Sequence, residues 1–132
     1  MPVLDTEILF ALDPKDPHHK RAVKLLASRS DVVAPDTALL EFAIVLRTMG
    51  VRPRTVRDFV LALDQDLARR EVTQARTIDG LLLATQCQLE SAQGLSYFDS
   101  LVAASALSLD RRIVSDDEAF DRVPGLERIP LG

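Results

Sequence analysis

Short aliphatic runs alternate along this chain with longer stretches of helical periodicity, and that alternation narrows the folds open to it. Pro2–Leu4, Val32–Ala34, Arg112–Ser115 and a segment near Arg128–Pro130 read as strands. Between them, Glu7–Leu12, His18–Ser28, Ala38–Met49, Pro53 to about Arg70, Thr77–Ala92 and Asp99–Leu109 read as helices, followed by a short helix at Asp117–Phe120. Punctuation agrees with these bounds. Asp13-Pro14 and Asp16-Pro17 make a turn, Asp36 or Thr37 can cap the third helix, Gly50 and Gly94 end helices, and Pro53 suits a first turn. Strands that alternate with helices predict a parallel sheet covered on both faces. With 132 residues and no linker, repeat or low-complexity segment, one domain spanning 1–132 is expected.

Several function classes fall away on composition. Apolar runs such as Ile8–Leu12, Phe42–Leu46 and Phe59–Leu63 are too short to span a bilayer, so no membrane association is expected. No basic-then-apolar leader opens the chain, since Asp5 and Glu7 interrupt its first apolar stretch; a cytoplasmic setting is the expectation. Cys87 is the only cysteine, which rules out an internal disulfide and a multi-cysteine zinc site. His18 and His19 are adjacent, a spacing that cannot supply paired helical metal ligands. Sixteen basic residues against twenty acidic ones leave a net charge of −4, the wrong global sign for a nucleic-acid coat protein. Any contact with nucleic acid must then be local, and Arg47, Arg52, Arg54 and Arg57 crowd one short segment.

In open parallel sheets, ligands bind beyond the carboxyl ends of the strands. Four acids fall at such positions: Asp5 after the first strand, Glu41 a turn into the helix after the second, Asp99 at the start of a late helix, and Asp117 after Arg112–Ser115. Each has a plain reading. Asp5, Asp99 and Asp117 fit helix N-caps, and Ser115-Asp116-Asp117-Glu118 fits a capping box. Glu41 has no cation three or four positions away, so it either reaches solvent or faces something positive. Together the four make a stronger case. Carboxylates about 4 Å apart repel by roughly 4 kcal/mol per pair at an effective dielectric of about 20. Protons or a cation must neutralise such a group, and hard Mg²⁺ or Mn²⁺ prefers all-oxygen ligands. Without these four acids the count becomes 16 basic minus 16 acidic, or zero, so the whole net charge can sit in one cluster.

Four blocks then resemble PIN domains in order and spacing: Val3-Leu4-Asp5-Thr6, the helix Leu39–Leu46 around Glu41, Tyr97-Phe98-Asp99 running on to Leu107, and Ile113–Phe120. The resemblance covers nearly the whole chain, and the small prokaryotic VapC-type toxins are the members it matches best. It implies a three-layer α/β/α sandwich with a central, mainly parallel sheet, and Mg²⁺- or Mn²⁺-dependent endoribonuclease activity. By motif it carries Asp5, Glu41, Asp99 and Asp117 over as the metal-binding and catalytic acids. Thr6 and Ser115 become polar supports, and Asp116 an outer residue that helps orient them. It further implies an RNA substrate, a homodimer and an antitoxin partner. Arg47, Arg52, Arg54 and Arg57 would then guide the RNA backbone, a solvated helix end being the plain reading for any one of them. Glu71–Gln93 fits the pattern least distinctly, and nothing is carried over from it.

Other acid-cluster enzymes fit less well. A phospho-accepting receiver needs a lysine after a late strand, and none occurs beyond Lys24; an aspartyl phosphatase wants Asp-x-Asp where Asp5-Thr6-Glu7 stands. A catalytically degenerate fold of the same kind, acting as a binding or scaffold module, is the alternative.

Overall fold

The computed structural model describes residues Met1–Gly132. Five short strands form one all-parallel sheet: β1 (Val3–Leu4), β2 (Val33–Pro35), β3 (Thr73–Ala75), β4 (Arg112–Val114) and β5 (Glu127–Ile129), in the order β3-β2-β1-β4-β5. Six helices complete it: α1 (Thr6–Phe10), α2 (His19–Ser28), α3 (Asp36–Thr48), α4 (Pro53–Arg69), α5 (Gly80–Gln93) and α6 (Tyr97–Ser108), with a 3₁₀ turn at Glu118–Arg122.

Successive strand residues point to opposite faces. Val3 and Leu4 are both fully buried, as are Ile113 and Val114, so helices must cover the sheet on both sides. The covered parallel sheet expected from the alternation, and the α/β/α sandwich the resemblance implies, are therefore present. Chain order sets the position of the crevice. From β1 the chain steps outward to β2 and β3, then returns across β1 to place β4 and β5 on the other side. The order reverses between β1 and β4, and ligands bind at the carboxyl ends of strands flanking such a reversal.

Two departures from the sequence expectation have local causes. The first is β3, which pairs with β2 through Val33, Ala34 and Pro35. Its residues Thr-Gln-Ala carry no apolar run, because it is an edge strand with two of three residues exposed. The second is α5, which begins at Gly80 rather than Thr77, with Asp79 capping it through the Leu82 N–H. Thr77 is held outside the helix by Asp36, whose carboxylate accepts from the Thr77 N–H (2.8 Å), the Thr77 hydroxyl (2.7 Å) and the Ile78 N–H (3.0 Å). Asp36 is thus a cross-link that also accepts from the Thr37 N–H at 3.0 Å, while Pro35 holds the N-cap position of α3. Thr37 is buried and bonded to Ser105 of α6 at 2.6 Å. The buried hydroxyls of Thr37, Thr77 and Ser105 join α3, the β3–α5 loop and α6, fixing two of the helices that carry acids toward the crevice.

Candidate active site

Asp5 leaves β1 at the switch point and stands 6% exposed. Its N–H continues the ladder to the Val114 carbonyl (3.1 Å), so the backbone is fixed before the side chain is placed. One carboxylate oxygen accepts from the Thr6 N–H at 2.8 Å, which caps α1, and the other accepts from the Ser115 hydroxyl at 2.7 Å. Capping and membership of a cluster are here the same act. Thr6, also buried, donates its hydroxyl to Glu41 Oε1, tying α1 to α3. Glu41, whose α3 neighbours offer no cation, is turned toward this hydroxyl and stands half-buried.

Asp99 lies in the first turn of α6, where Ser96 is the N-cap and accepts from the Asp99 N–H at 3.1 Å. The capping role open to Asp99 in the sequence thus belongs to Ser96, and the Asp99 carboxylate is left for the crevice. Asp117 does cap: its Oδ1 accepts from the Ala119 N–H at 2.9 Å. Its own N–H bonds the Ser115 hydroxyl at 3.0 Å. One serine therefore touches Asp5 and Asp117 at once.

The electrostatics show that these acids share a neighbourhood. Burial pushes the Asp5 carboxyl up to about 7, with the Glu7 and Asp99 charges adding to the rise and the Ser115 hydroxyl and Thr6 N–H opposing it. Glu41 is raised by burial and by Asp99, against the Thr6 hydroxyl. Asp99 is raised by burial, then by Asp117 and Glu7, while Arg122 pulls it down. A raised carboxyl is one that gains from a proton or a cation.

Two residues near the cluster went unread in the sequence. Glu7 is exposed, faces Asp5 and Asp99, accepts from the Asp116 N–H and lies 3.2 Å from Ser115 Oγ. Its place two residues after Asp5 was the available signal. Arg122, in the 3₁₀ turn, is the arginine whose charge acts on Asp99, and it makes no ion pair of its own.

The Asp116 carboxylate bonds none of the other acids. Although burial raises it, the Leu131 N–H (2.9 Å) and the Arg21 guanidinium (2.6 Å) hold it below the usual carboxylate range. The four arginines stand apart as well. Arg47 ends α3, Arg52 precedes α4, and Arg54 and Arg57 lie in the opening turns of α4, all exposed. Arg57 pairs with Asp58 at 3.0 Å, and none of the four contacts an acid of the cluster. The helix rise separates Glu41 from Arg47 by about 9 Å along α3.

The donor chemistry fits a hard divalent ion, being oxygen only and already short of compensating charge. No three His, Cys, Asp or Glu side chains converge closely enough to hold an ion by themselves. Mg²⁺ asks for less, since it keeps several waters and takes one or two carboxylates directly. The residues suit such an ion as a partly hydrated guest.

A separate apolar groove of about 910 Å³ opens between the α1–α2 loop, α3 and α4, lined by Phe10, Phe42, Val45, Met49, Phe59 and Leu63 among others. The Phe10 and Phe42 rings lie 4.6 Å apart at its floor. None of the clustered acids lines it. No helix is long and apolar enough to cross a membrane.

Residues 3–126 match the family model for the PIN domain. Comparison with curated proteins gave no match. Among solved structures, VapBC2 from Rickettsia felis, crystallised with a DNA fragment from its promoter, superposes with a TM-score of 0.66 at 18% identity over 97% of this chain and 96% of that one. A toxin-antitoxin complex from Klebsiella pneumoniae gives 0.67 at 16% identity over 100% and 98%. Mycobacterium tuberculosis VapC20, described as a sarcin-ricin loop cleaving toxin, gives 0.69 at 18% identity over 92% and 93%.

Proposed function

From the premise that this chain belongs to the PIN-domain family, we propose that it is a divalent-metal-dependent endoribonuclease, the toxin of a toxin–antitoxin pair. What supports the reading is the set of ties among Asp5, Glu41, Asp99 and Asp117: Ser115 bonds Asp5 and the Asp117 N–H, Thr6 bonds Asp5 and Glu41, and the Asp99 charge raises both Asp5, pushed up to about 7, and Glu41.

Asp5, Asp99, Glu41 and Asp117 would hold Mg²⁺ or Mn²⁺, and such an ion makes a bound water more acidic and offsets charge on phosphate oxygens. The protein's own part is placement. Ser115 holds the buried Asp5 carboxylate and the Asp117 backbone, and Thr6 holds Glu41, so the acids are oriented before any ion arrives. Substrate phosphates are repelled by the bare cluster, and Arg122, whose charge acts on Asp99, would be a cation to receive them. Arg47, Arg52, Arg54 and Arg57 would guide RNA only at a distance from the cut.

The remaining parts of the proposal are partners and setting. A single domain in the cytoplasm is inferred. A homodimer is inferred from the exposed Leu81 (77%), with Ile78 and Leu83 also open to solvent at the same end of the chain's α5 region. An antitoxin segment would lie in the Phe10–Phe42–Phe59 groove, whose apolar lining needs a cover. Because one neighbour is described as cleaving the sarcin-ricin loop, an oligonucleotide of that loop is the first substrate to try.

The same groove favours a second reading, a binding module without catalysis. Calorimetric titration with Mn²⁺ separates the two. Saturable binding that disappears in Asp99→Asn supports the nuclease, and no binding at millimolar Mn²⁺ leaves the module.

A further inference from the structure

We propose that Glu7 is a positioning residue for the acid cluster: its carboxylate sets the Ser115–Asp117 turn, and through it the place of the Asp117 carboxylate. The inference deepens the nuclease reading and rests on it for its consequence, though not for its geometry.

Glu7 sits in the first turn of α1, two residues beyond Asp5, and is itself exposed. Its Oε1 nevertheless reaches across to the loop after β4, 2.8 Å from the Asp116 N and 3.2 Å from Ser115 Oγ. An exposed glutamate beside Asp5 and Asp99 is pushed away by both charges, so the Asp116 N–H is what holds it there, the single Ser115 hydroxyl proton being directed at the nearer Asp5 oxygen.

The loop it grips is fixed on its other sides. The Ser115 N–H bonds the Ile129 carbonyl at 3.0 Å, and its carbonyl accepts from Arg128 at 3.3 Å. The Asp116 carboxylate is drawn outward by Arg21 and the Leu131 N–H. The Asp117 N–H rests on the Ser115 hydroxyl, and one Asp117 oxygen caps the 3₁₀ turn. Residue 116 is thus clamped between an outward pull on its carboxylate and an inward hold on its N–H. Glu7 supplies the inward hold, and the Asp116 N–H has no other partner. Besides the β1–β4 pairing and the bond from the Asp5 N–H to the Val114 carbonyl, side chains join the segment bearing Asp5 to the loop bearing Asp117 at Ser115 Oγ, which bonds Asp5 and lies 3.2 Å from Glu7, and at the Asp116 N–H, which bonds Glu7. Without the Glu7 bond, nothing opposes the outward pull at the Asp116 N–H, and the Asp117 N–H rests on the Ser115 hydroxyl alone.

The role requires an acceptor oxygen and not a charge, which gives it a distinctive test. Glu7→Gln keeps an oxygen for the Asp116 N–H; Glu7→Ala removes it. Hydrogen exchange of the Asp116 amide, followed by NMR in the metal-free protein, should quicken about tenfold or more in Glu7→Ala and stay near wild type in Glu7→Gln, with thermal melts of both unchanged. Mn²⁺ affinity, measured by calorimetry, should fall about tenfold in the alanine variant, as when residues supporting metal ligands are removed elsewhere, and be rescued in the glutamine variant. Unchanged Asp116 exchange in Glu7→Ala would overturn the proposal. So would a Glu7→Gln variant as impaired as the alanine one, which would assign Glu7 to charge instead. Should the wild type bind no Mn²⁺, the nuclease reading fails, and the exchange measurement alone decides the role of Glu7.

Discussion

The Ser115 hydroxyl lies 2.7 Å from the Asp5 carboxylate, joining residues 110 positions apart across the β1/β4 reversal. The same oxygen receives the Asp117 N–H at 3.0 Å. Both contacts are fully buried at the serine, so the hydroxyl has no water to replace either partner. In Ser115→Ala, Asp5 Oδ2 loses its donor. Removing one partner of a buried bond costs about 1–3 kcal/mol, more when the survivor is charged. The expected outcome is a loss in that range at pH 8, shrinking at pH 5 where Asp5 is protonated; denaturant titrations at the two pH values check it.

The buried Asp5 makes the metal-free protein sensitive to pH in a definite direction. Its carboxyl ionises near 3.8 when unfolded and near 7 when folded. Between those values the folded state keeps a proton that the unfolded state has released. The stability Asp5 contributes is therefore whole below about 3.8 and is lost as pH rises through about 7, amounting to at most about 4 kcal/mol. Glu41 and Asp99 are raised too and act in the same sense. Asp5→Asn removes this slope while keeping the shape. Melts of the metal-free proteins from pH 4.5 to 8 should show the variant gaining on wild type as pH rises, and parallel curves would contradict the buried-acid assignment.

Glu41 and Glu90 make an internal comparison. Glu41 is half-buried against Thr6 and Asp99, whereas Glu90 is exposed and accepts only from Gln86 at 2.7 Å. Glu41→Gln should weaken Mn²⁺ binding about tenfold or more, and Glu90→Gln should leave it unchanged. Equal affinities by calorimetry would make Glu41 a solvated residue like any other.

Leu81, 77% exposed, is the most open leucine of α5. If α5 forms a two-fold contact, Leu81→Glu should convert a dimer of the 14.6 kDa chain to a monomer in light scattering. A wild type of monomer mass at high concentration would remove the dimer from the account.

How much of this was legible beforehand follows from the physics of each element. β1, β2 and β4 are apolar on both faces, a pattern that only a covered parallel sheet demands, and it stood out in the sequence. β3 did not, because an edge strand of Thr-Gln-Ala draws its stability from pairing with β2 and leaves no apolar mark. The start of α5 was misplaced because Thr77 and Ile78 answer to Asp36, 41 and 42 positions away, a tie no local pattern carries. Among the acids, Asp5, Glu41, Asp99 and Asp117 were proposed from their place after strands and in early helix turns. Glu7 was missed because an exposed glutamate in a first helix turn has an ordinary dipole explanation. The partners of the Asp116 carboxylate, Arg21 and Leu131, could not be read for the opposite reason, since they come from distant segments.

The most direct measurement is cleavage of a sarcin-ricin loop oligonucleotide by the purified chain, free of any antitoxin, with Mn²⁺ present, with Mn²⁺ chelated, and with Asp99→Asn in place of wild type. The account predicts cleavage with the ion alone, none after chelation, and at least a hundredfold slower cutting in the folded Asp99→Asn variant, roughly the scale of losing one essential acid group. Cleavage that persists at wild-type rate in Asp99→Asn, or that ignores chelation, would contradict it.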